Sequence, residues 1–410
     1  MPDLKILIVQ ICIILLATLL VGWLLKRLHQ PQVVGEMVAG IMLGPSLLGR
    51  LAPQLSASLF PPESFGLLNS VSQLGLVLFM FVVGIELDRS KLKQLGRSAV
   101  IISQTSILVP LVLGAALASF LYPRLADKSV SFTAFLLFMG TAMSVTAFPV
   151  LARILIQKNL IGTKIGTLAI ACAAVDDVAA WCLLAIIIAV VKAGAVHNTV
   201  WLLLAQLLIY VLIMFYVVKP VLAKLVKGTH GMIGLVLVFA LVSSLITELI
   251  GIHMLFGAFL AGVILPKDNE FVTYLRTKMG RLPEALFLPL FFALTGLRTD
   301  INLISDWSLL LYSVLIIFVA LAGKLGASML AARVMGMNWS EAAAIGTLLN
   351  TRGLIELVIL NIGLDLGVMS KTLFSMMVAM AILTTLMTGP LLSLLGYGDR
   401  TSHSHPVSTG

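Results

Sequence analysis

Uncharged runs of about twenty residues, parted by short polar or basic segments, recur along the whole 410-residue chain. A run of that length crosses the hydrocarbon core of a bilayer as a helix. The pattern predicts thirteen spans, at 4–25, 31–49, 65–87, 98–122, 130–157, 161–191, 198–226, 231–249, 251–266, 282–298, 306–335, 341–364 and 369–397. The second and ninth are short, and several hold Gly or Pro where an uninterrupted helix avoids them. The fold class implied is an all-α polytopic membrane protein. Residues 1–397 form one transmembrane domain, and 398–410 form a short cytosolic tail.

Composition agrees. Hydrophobic residues make up 60% and charged residues 11%, with a mean hydropathy of +1.10; soluble domains carry roughly 25% charge. The net charge of +9 does not require nucleic acid, because the basic residues sort by side. With the N-terminus outside, eighteen of the 27 Lys and Arg residues fall in inside loops and seven outside, while Lys324 and Arg352 lie within spans. That asymmetry is the positive-inside rule. An odd number of spans then puts the C-terminus in the cytoplasm of a plasma (bacterial inner) membrane. Residues 6–25 do not read as a removable signal peptide, since Lys26 and Arg27 follow the apolar run instead of preceding it. Cys12, Cys172 and Cys182 fall inside spans and read as buried thiols.

Two halves of the chain resemble each other. VGEMVAGIMLGP (34–45) lies over FGAFLAGVILPK (256–267), matching Gly35, Ala39 and Gly40 to Gly257, Ala261 and Gly262. Phe79, Gly84 and Asp88 fall on Phe291, Gly296 and Asp300, and Gly140-Thr141 on Gly346-Thr347. Each match links spans seven apart. Seven is odd, so the related helices run in opposite directions, an inverted-topology repeat of about 1–191 and 231–397 joined by a linker helix at about 198–226. Secondary transporters of this kind place their site at the midplane, where two crossed discontinuous helices meet. The segments suited to that are TAMSVTAFPVLAR (141–153), with Pro149 removing a backbone donor, and TLLNTRGLIEL (347–357), which packs Asn350, Thr351, Arg352 and Gly353 into an apolar span.

Candidate chemistry concentrates on charges inside spans. In AAVDDVAAW (173–181), Asp176 and Asp177 sit side by side, although one charge at mid-bilayer costs about 2.5–3.5 kcal/mol on the lenient insertion scale. Neighbours on a helix point about 100° apart. The two acids therefore cannot form a face-to-face dyad, and one can face an aqueous funnel while the other faces a partner helix. Lys324 is the natural partner. Burial disfavours the charged form of any such group, so the site holds a proton or a cation but not comfortably both. The bland reading is an Asp–Lys bridge that fastens two helices, which leaves the second acid unexplained. Arg352 and Glu356 are four apart, and either neutralise a helix break or handle ions. Glu248, beside His253 at a span end, is interfacial or functional. Ser144 and Thr146 offer oxygens next to a break, as does Asn350, but hydroxyls in membrane helices commonly bond back to their own carbonyls.

MSVTAFPVLARIL, AAVDDVAAW, HMLFGAFLAGVILP, LPLFFALTGLRTDI and NTRGLIELVILNIGL together resemble the monovalent cation:proton antiporters of the Kef/CHX/GerN branch, whose fold is that of NhaA and NapA. The resemblance covers nearly the whole chain, with the motifs in family order. It implies a homodimer, an elevator-like movement of a core carrying the broken spans 5 and 12 and the acidic span 6, and no cofactor beyond the transported Na⁺ or K⁺ and H⁺. By position, Asp177 corresponds to the carboxylate that binds cation and proton in turn, with Asp176 completing the cation site and pairing with Lys324 when no cation is present. Kef members show Gln-Asp at this pair and carry a cytosolic nucleotide-binding tail; CHX members often show Asn-Asp. The Asp-Asp pair with a lysine is similar to electrogenic sodium:proton exchangers, which favours Na⁺ with more than one proton per ion. K⁺/H⁺ exchange or Kef-type K⁺ efflux is the runner-up, followed by a Na⁺-coupled solute symporter. A channel reading lacks a selectivity-filter loop. An intramembrane aspartyl protease needs facing acids on two helices, which adjacent acids on one helix cannot supply.

Overall fold

The computed structural model describes residues 4–27, 30–86, 97–127, 130–160, 163–193, 197–225, 233–251, 253–266 and 269–397. The repeat position Asp88, the basic loop residues within 87–96 and 226–232, and the tail from 398 lie outside the described residues. Among those described the ordered elements are helices, with no strand. In chain order the principal ones are α1 (Leu4–Arg27), α2 (Gln32–Leu43), α3 (Phe65–Glu86), α4 (Arg97–Leu125), α5 (Phe132–Ser144), α6 (Phe148–Gln157), α7 (Lys164–Ala193) and α8 (His197–Ile213). There follow α9 (Ile233–Ile250), α10 (Met254–Ile264), α11 (Leu288–Leu297), α12 (Trp307–Leu321), α13 (Ala327–Val334), α14 (Trp339–Leu349), α15 (Leu354–Asp365) and α16 (Lys371–Leu394).

Polar residues at the span edges set where helices begin. Ser131 accepts the Ala134 amide at the start of α5. Asn338 and Glu341 form a reciprocal capping box for α14. Ser370 caps α16, and His253 caps α10. Glu248 accepts the Met254 amide at 3.1 Å, so Glu248 and His253 both serve the turn between α9 and α10.

Ten helices among the described residues are long and apolar enough to cross a membrane, and the bent pair α14–α15 makes an eleventh. The expected fifth and ninth spans are the remaining two: the fifth is divided into α5 and α6, and α10 has only eleven residues. The cysteines correct the sequence reading. Cys172 is buried, but Cys12 and Cys182 are exposed on helix surfaces, because a spanning helix turns apolar side chains outward to lipid as readily as inward.

The helices form two bodies. One packs α1 and α2 with α11, and α3 with α10 and α9; the other gathers α4 to α7 with α13 to α16, and α8 touches both α7 and α9. Glycines matched by the sequence repeat make two close crossings of the first body. A Cβ on Gly40 would sit 2.1 Å from the Ala293 oxygen, and one on Gly296 2.4 Å from the Met37 oxygen, where α2 meets α11. A Cβ on Gly262 would sit 2.1 Å from the Phe81 oxygen, and one on Gly84 2.2 Å from the Phe259 oxygen, where α10 meets α3. Exchanging α2 for α10 and α3 for α11 turns one crossing into the other, as an internal two-fold requires.

Candidate functional site

Two helix breaks meet at the centre of the second body. Between α5 and α6, residues 145–147 are extended; between α14 and α15 the chain bends by 40° through residues 350–353. The breaks meet directly: the Ala147 amide donates to the Thr351 oxygen at 3.0 Å, and Thr146 Oγ1 lies 3.1 Å from the Leu349 oxygen. Gly353 allows this approach, since a Cβ there would lie 2.6 Å from Val150 Cγ2. Pro149 lies not in the break but in the first turn of α6, where its missing N–H costs no helix bond. Thr351 bonds its hydroxyl back to the Leu348 oxygen, and Asn350 ends α14, buried, with its Oδ1 unpartnered.

Broken helices leave carbonyls without partners, and two buried cations take them. Arg352 donates from Nη1 to the Ala142 and Val145 oxygens at 3.0 and 3.2 Å, and from Nη2 to the Met143 oxygen at 2.8 Å. Its own amide and carbonyl both bond Thr385 Oγ1. Glu356 Oε1 lies 3.6 Å from Arg352 Nη1 with both side chains fully buried, so the bend does not turn the pair apart. Lys324 stands in a π-helical turn, Ala322–Gly326, between α12 and α13. Its ammonium donates to the Ser106 oxygen at 2.8 Å, the Ser144 oxygen at 2.5 Å and Asp176 Oδ2 at 2.9 Å. Three N–H groups meet three acceptors.

The adjacent acids on α7 have different surroundings. Asp176 accepts from Ser103 at Oδ1 (2.8 Å), and at Oδ2 from Ser106 (2.9 Å), Thr146 (2.6 Å) and Lys324. Asp177 is 4% exposed, and its Oδ1 has no hydrogen-bond partner. Ser144, expected to offer its hydroxyl, bonds it back to the Thr141 oxygen at 2.9 Å and serves Lys324 through its carbonyl instead. The sequence reading missed Ser103 and Ser106. The signal was a pair of serines one turn apart in an apolar helix, both fully buried. Trp181 and Ser328, one turn beyond Asp177 and Lys324, also hold buried polar atoms without partners, as do Asn350, Arg352 and Glu356. Such atoms are rare in folded proteins; Gln10 on α1, Gln30 before α2 and Ser72 on α3 hold others.

The donor set here is carboxylate, hydroxyl and carbonyl oxygen, which suits a hard monovalent cation. A separate cleft, lined by Asn69, Gln73, His253, Thr295, Asn361 and Asp365 among others, opens where the two bodies meet and includes neither Asp176 nor Asp177.

A helical membrane protein with two crossed breaks and a buried carboxylate–lysine centre has the architecture of a secondary transporter. The chain belongs to the family described as sodium/hydrogen exchanger, transmembrane, which it matches over residues 14–396. It is 42% identical over 396 residues to the Na(+)/H(+) antiporter NhaS4 of Synechocystis sp., covering 95% of this chain and 96% of that one. It is 43% identical to cation/H(+) antiporter 17 of Arabidopsis thaliana and 34% identical to K(+)/H(+) antiporter 1 of Saccharomyces cerevisiae, covering 95% and 94% of this chain but only 48% and 46% of theirs. The chain thus spans about half the length of these eukaryotic relatives. In fold it matches the sodium proton antiporter MjNhaP1 of Methanocaldococcus jannaschii, with a TM-score of 0.66 at 13% identity over 94% of this chain and 95% of that one.

Proposed function

We propose that this chain exchanges a monovalent cation for protons by alternating access, with Asp177 as the seat that cation and proton occupy in turn. The observation that carries this reading is the asymmetry of the two acids. Asp176 has four donors, including the Lys324 ammonium, while Asp177 keeps a buried oxygen without a partner. In this reading Asp176 and Thr146 complete the cation's surroundings, and Lys324 is the internal cation that compensates Asp176 when no ion is present. Arg352 and Glu356 neutralise the break. Na⁺ is the favoured cation, supported by the identity to a full-length relative named as a Na⁺/H⁺ antiporter. K⁺ is the second reading, supported by the relative named as a K⁺/H⁺ antiporter. The protein works as a homodimer in the plasma membrane, N-terminus outside and C-terminus in the cytoplasm, as a single transmembrane domain of repeats 1–191 and 231–397 with 198–226 between them.

The test is made in proteoliposomes carrying a pH gradient. Added Na⁺ collapses the gradient, faster when valinomycin and K⁺ clamp the voltage, and Asp177→Asn abolishes the effect. Because proton and cation compete for one carboxylate, the Na⁺ concentration giving half-maximal rate rises as pH falls. Collapse by K⁺ but not Na⁺ selects the second reading, and full activity in Asp177→Asn removes the site.

A further inference from the structure

Most hydroxyls in these helices bond back to a carbonyl of their own helix: Thr105 to Ile101, Ser119 to Ala115, Thr295 to Phe291 and Thr384 to Met380. Ser103 and Ser106 of α4 do not. Both reach across to Asp176, and Ser106 also gives its carbonyl oxygen to Lys324, so it alone in α4 bonds both members of the ion pair. A helical carbonyl is normally taken by the amide four residues on. For Ser106 that residue is Pro110, inside α4, and proline has no N–H to give. The lysine occupies the acceptor that the proline leaves open. The contact is close on the other side as well: a Cβ on Gly323, next to Lys324, would sit 3.1 Å from Pro110 Cα, so the π-helical turn lies directly on the proline.

We propose that Pro110 is a positioning residue for the exchange reaction. By leaving the Ser106 carbonyl free, it builds a seat in which Lys324 rests when it lets go of Asp176. The proposal rests on the reading above, in which the pair opens as a cation binds. In the seat the ammonium keeps two of its three hydrogen bonds, to the Ser106 and Ser144 oxygens, and Asp176 keeps the hydroxyls of Ser103, Ser106 and Thr146. Opening the pair therefore breaks one bond instead of stranding two buried charges.

The experiment is a double-mutant cycle on the purified full chain. Pro110→Ala supplies a helix amide that competes with Lys324 for the Ser106 carbonyl. In a Lys324→Met background nothing competes, and the restored helix bond raises Tm by about 2–4 °C. With Lys324 present the rise is lost or reversed. In proteoliposomes, Pro110→Ala displaces the pH profile of cation-driven exchange by about half a unit or more, while Pro123→Ala, at the other proline of the same helix, leaves it in place. An equal Tm change in both backgrounds, or an unmoved profile, overturns the proposal. The Tm cycle needs no transport, so it separates failure of the seat from failure of the exchange reading, which Asp177→Asn tests.

Discussion

Neutralising Asp176 and neutralising Asp177 remove the same charge from neighbouring positions of one helix, yet the consequences for stability differ. Asp176→Asn leaves the Lys324 ammonium, fully buried and 2.9 Å from the lost carboxylate, without its ion-pair partner. Removing one member of a buried pair costs about 3–5 kcal/mol, and four donors lose an anionic acceptor at once. Asp177→Asn replaces an acid whose Oδ1 has no partner with a neutral amide, and relieves the cost of burying that charge. Thermal unfolding of the purified variants should therefore show Asp176→Asn several degrees below the parent protein and Asp177→Asn at or above it, although exchange is lost in Asp177→Asn. Equal losses of Tm would mean that the two acids share one environment. At this scale the sequence was informative where charge stood against an apolar background, at Asp176, Asp177, Lys324, Arg352 and Glu356. Ser103 and Ser106 were not legible, because hydroxyls are common in membrane helices and the carboxylate they serve lies seventy or more residues away. Which of the two acids does which task came from the family resemblance alone, since helical geometry says only that they diverge.

Elements were legible in kind and less so in length. Apolar runs locate each span, but the run over 130–157 continues through the break at 145–147; hydropathy reads side chains, and a break is a backbone event. The repeat was clearer than its weak identity suggested. Gly40, Gly84, Gly262 and Gly296 are not scattered small residues but the contact points of the two equivalent crossings, α2 on α11 and α3 on α10. Gly40→Ala and Gly262→Ala each drive a methyl to about 2.1 Å from a backbone oxygen, where no side chain can yield. Each should destabilise by the 1–3 kcal/mol or more typical of overpacking, and by similar amounts if the crossings are equivalent. Gly66→Ala, with nothing within 4 Å of the added Cβ, should instead raise stability slightly through helix propensity. Denaturation midpoints of the three variants, measured side by side, check both the clash and the equivalence.

For the whole molecule, alternating access requires one body to move against the other, and the polar bonds across their boundary show what has to part. Asn361 on α15 donates to Thr295 on α11 at 2.9 Å, and Arg298, just past α11, holds both Asn361 and Asp365. Elsewhere on the boundary, Arg153 on α6 donates to Gln32 on α2 at 2.5 Å, and Gln32 in turn donates to the buried carboxylate of Glu36. Both contacts join the first body to the half of a broken helix that follows the break. If the broken helices slide as a unit, these bonds open in each cycle, and tying one shut stops transport without touching the carboxylates. The test replaces Thr295 and Asn361 with cysteine in a background freed of Cys12, Cys172 and Cys182, and bridges them with a short bifunctional thiol reagent. Exchange should fall in proportion to the bridged fraction, while the reagent leaves each single-cysteine variant active. Undiminished exchange at complete bridging would mean that α11 and α15 stay together throughout the cycle. The motion would then have to lie within the second body, at the breaks themselves.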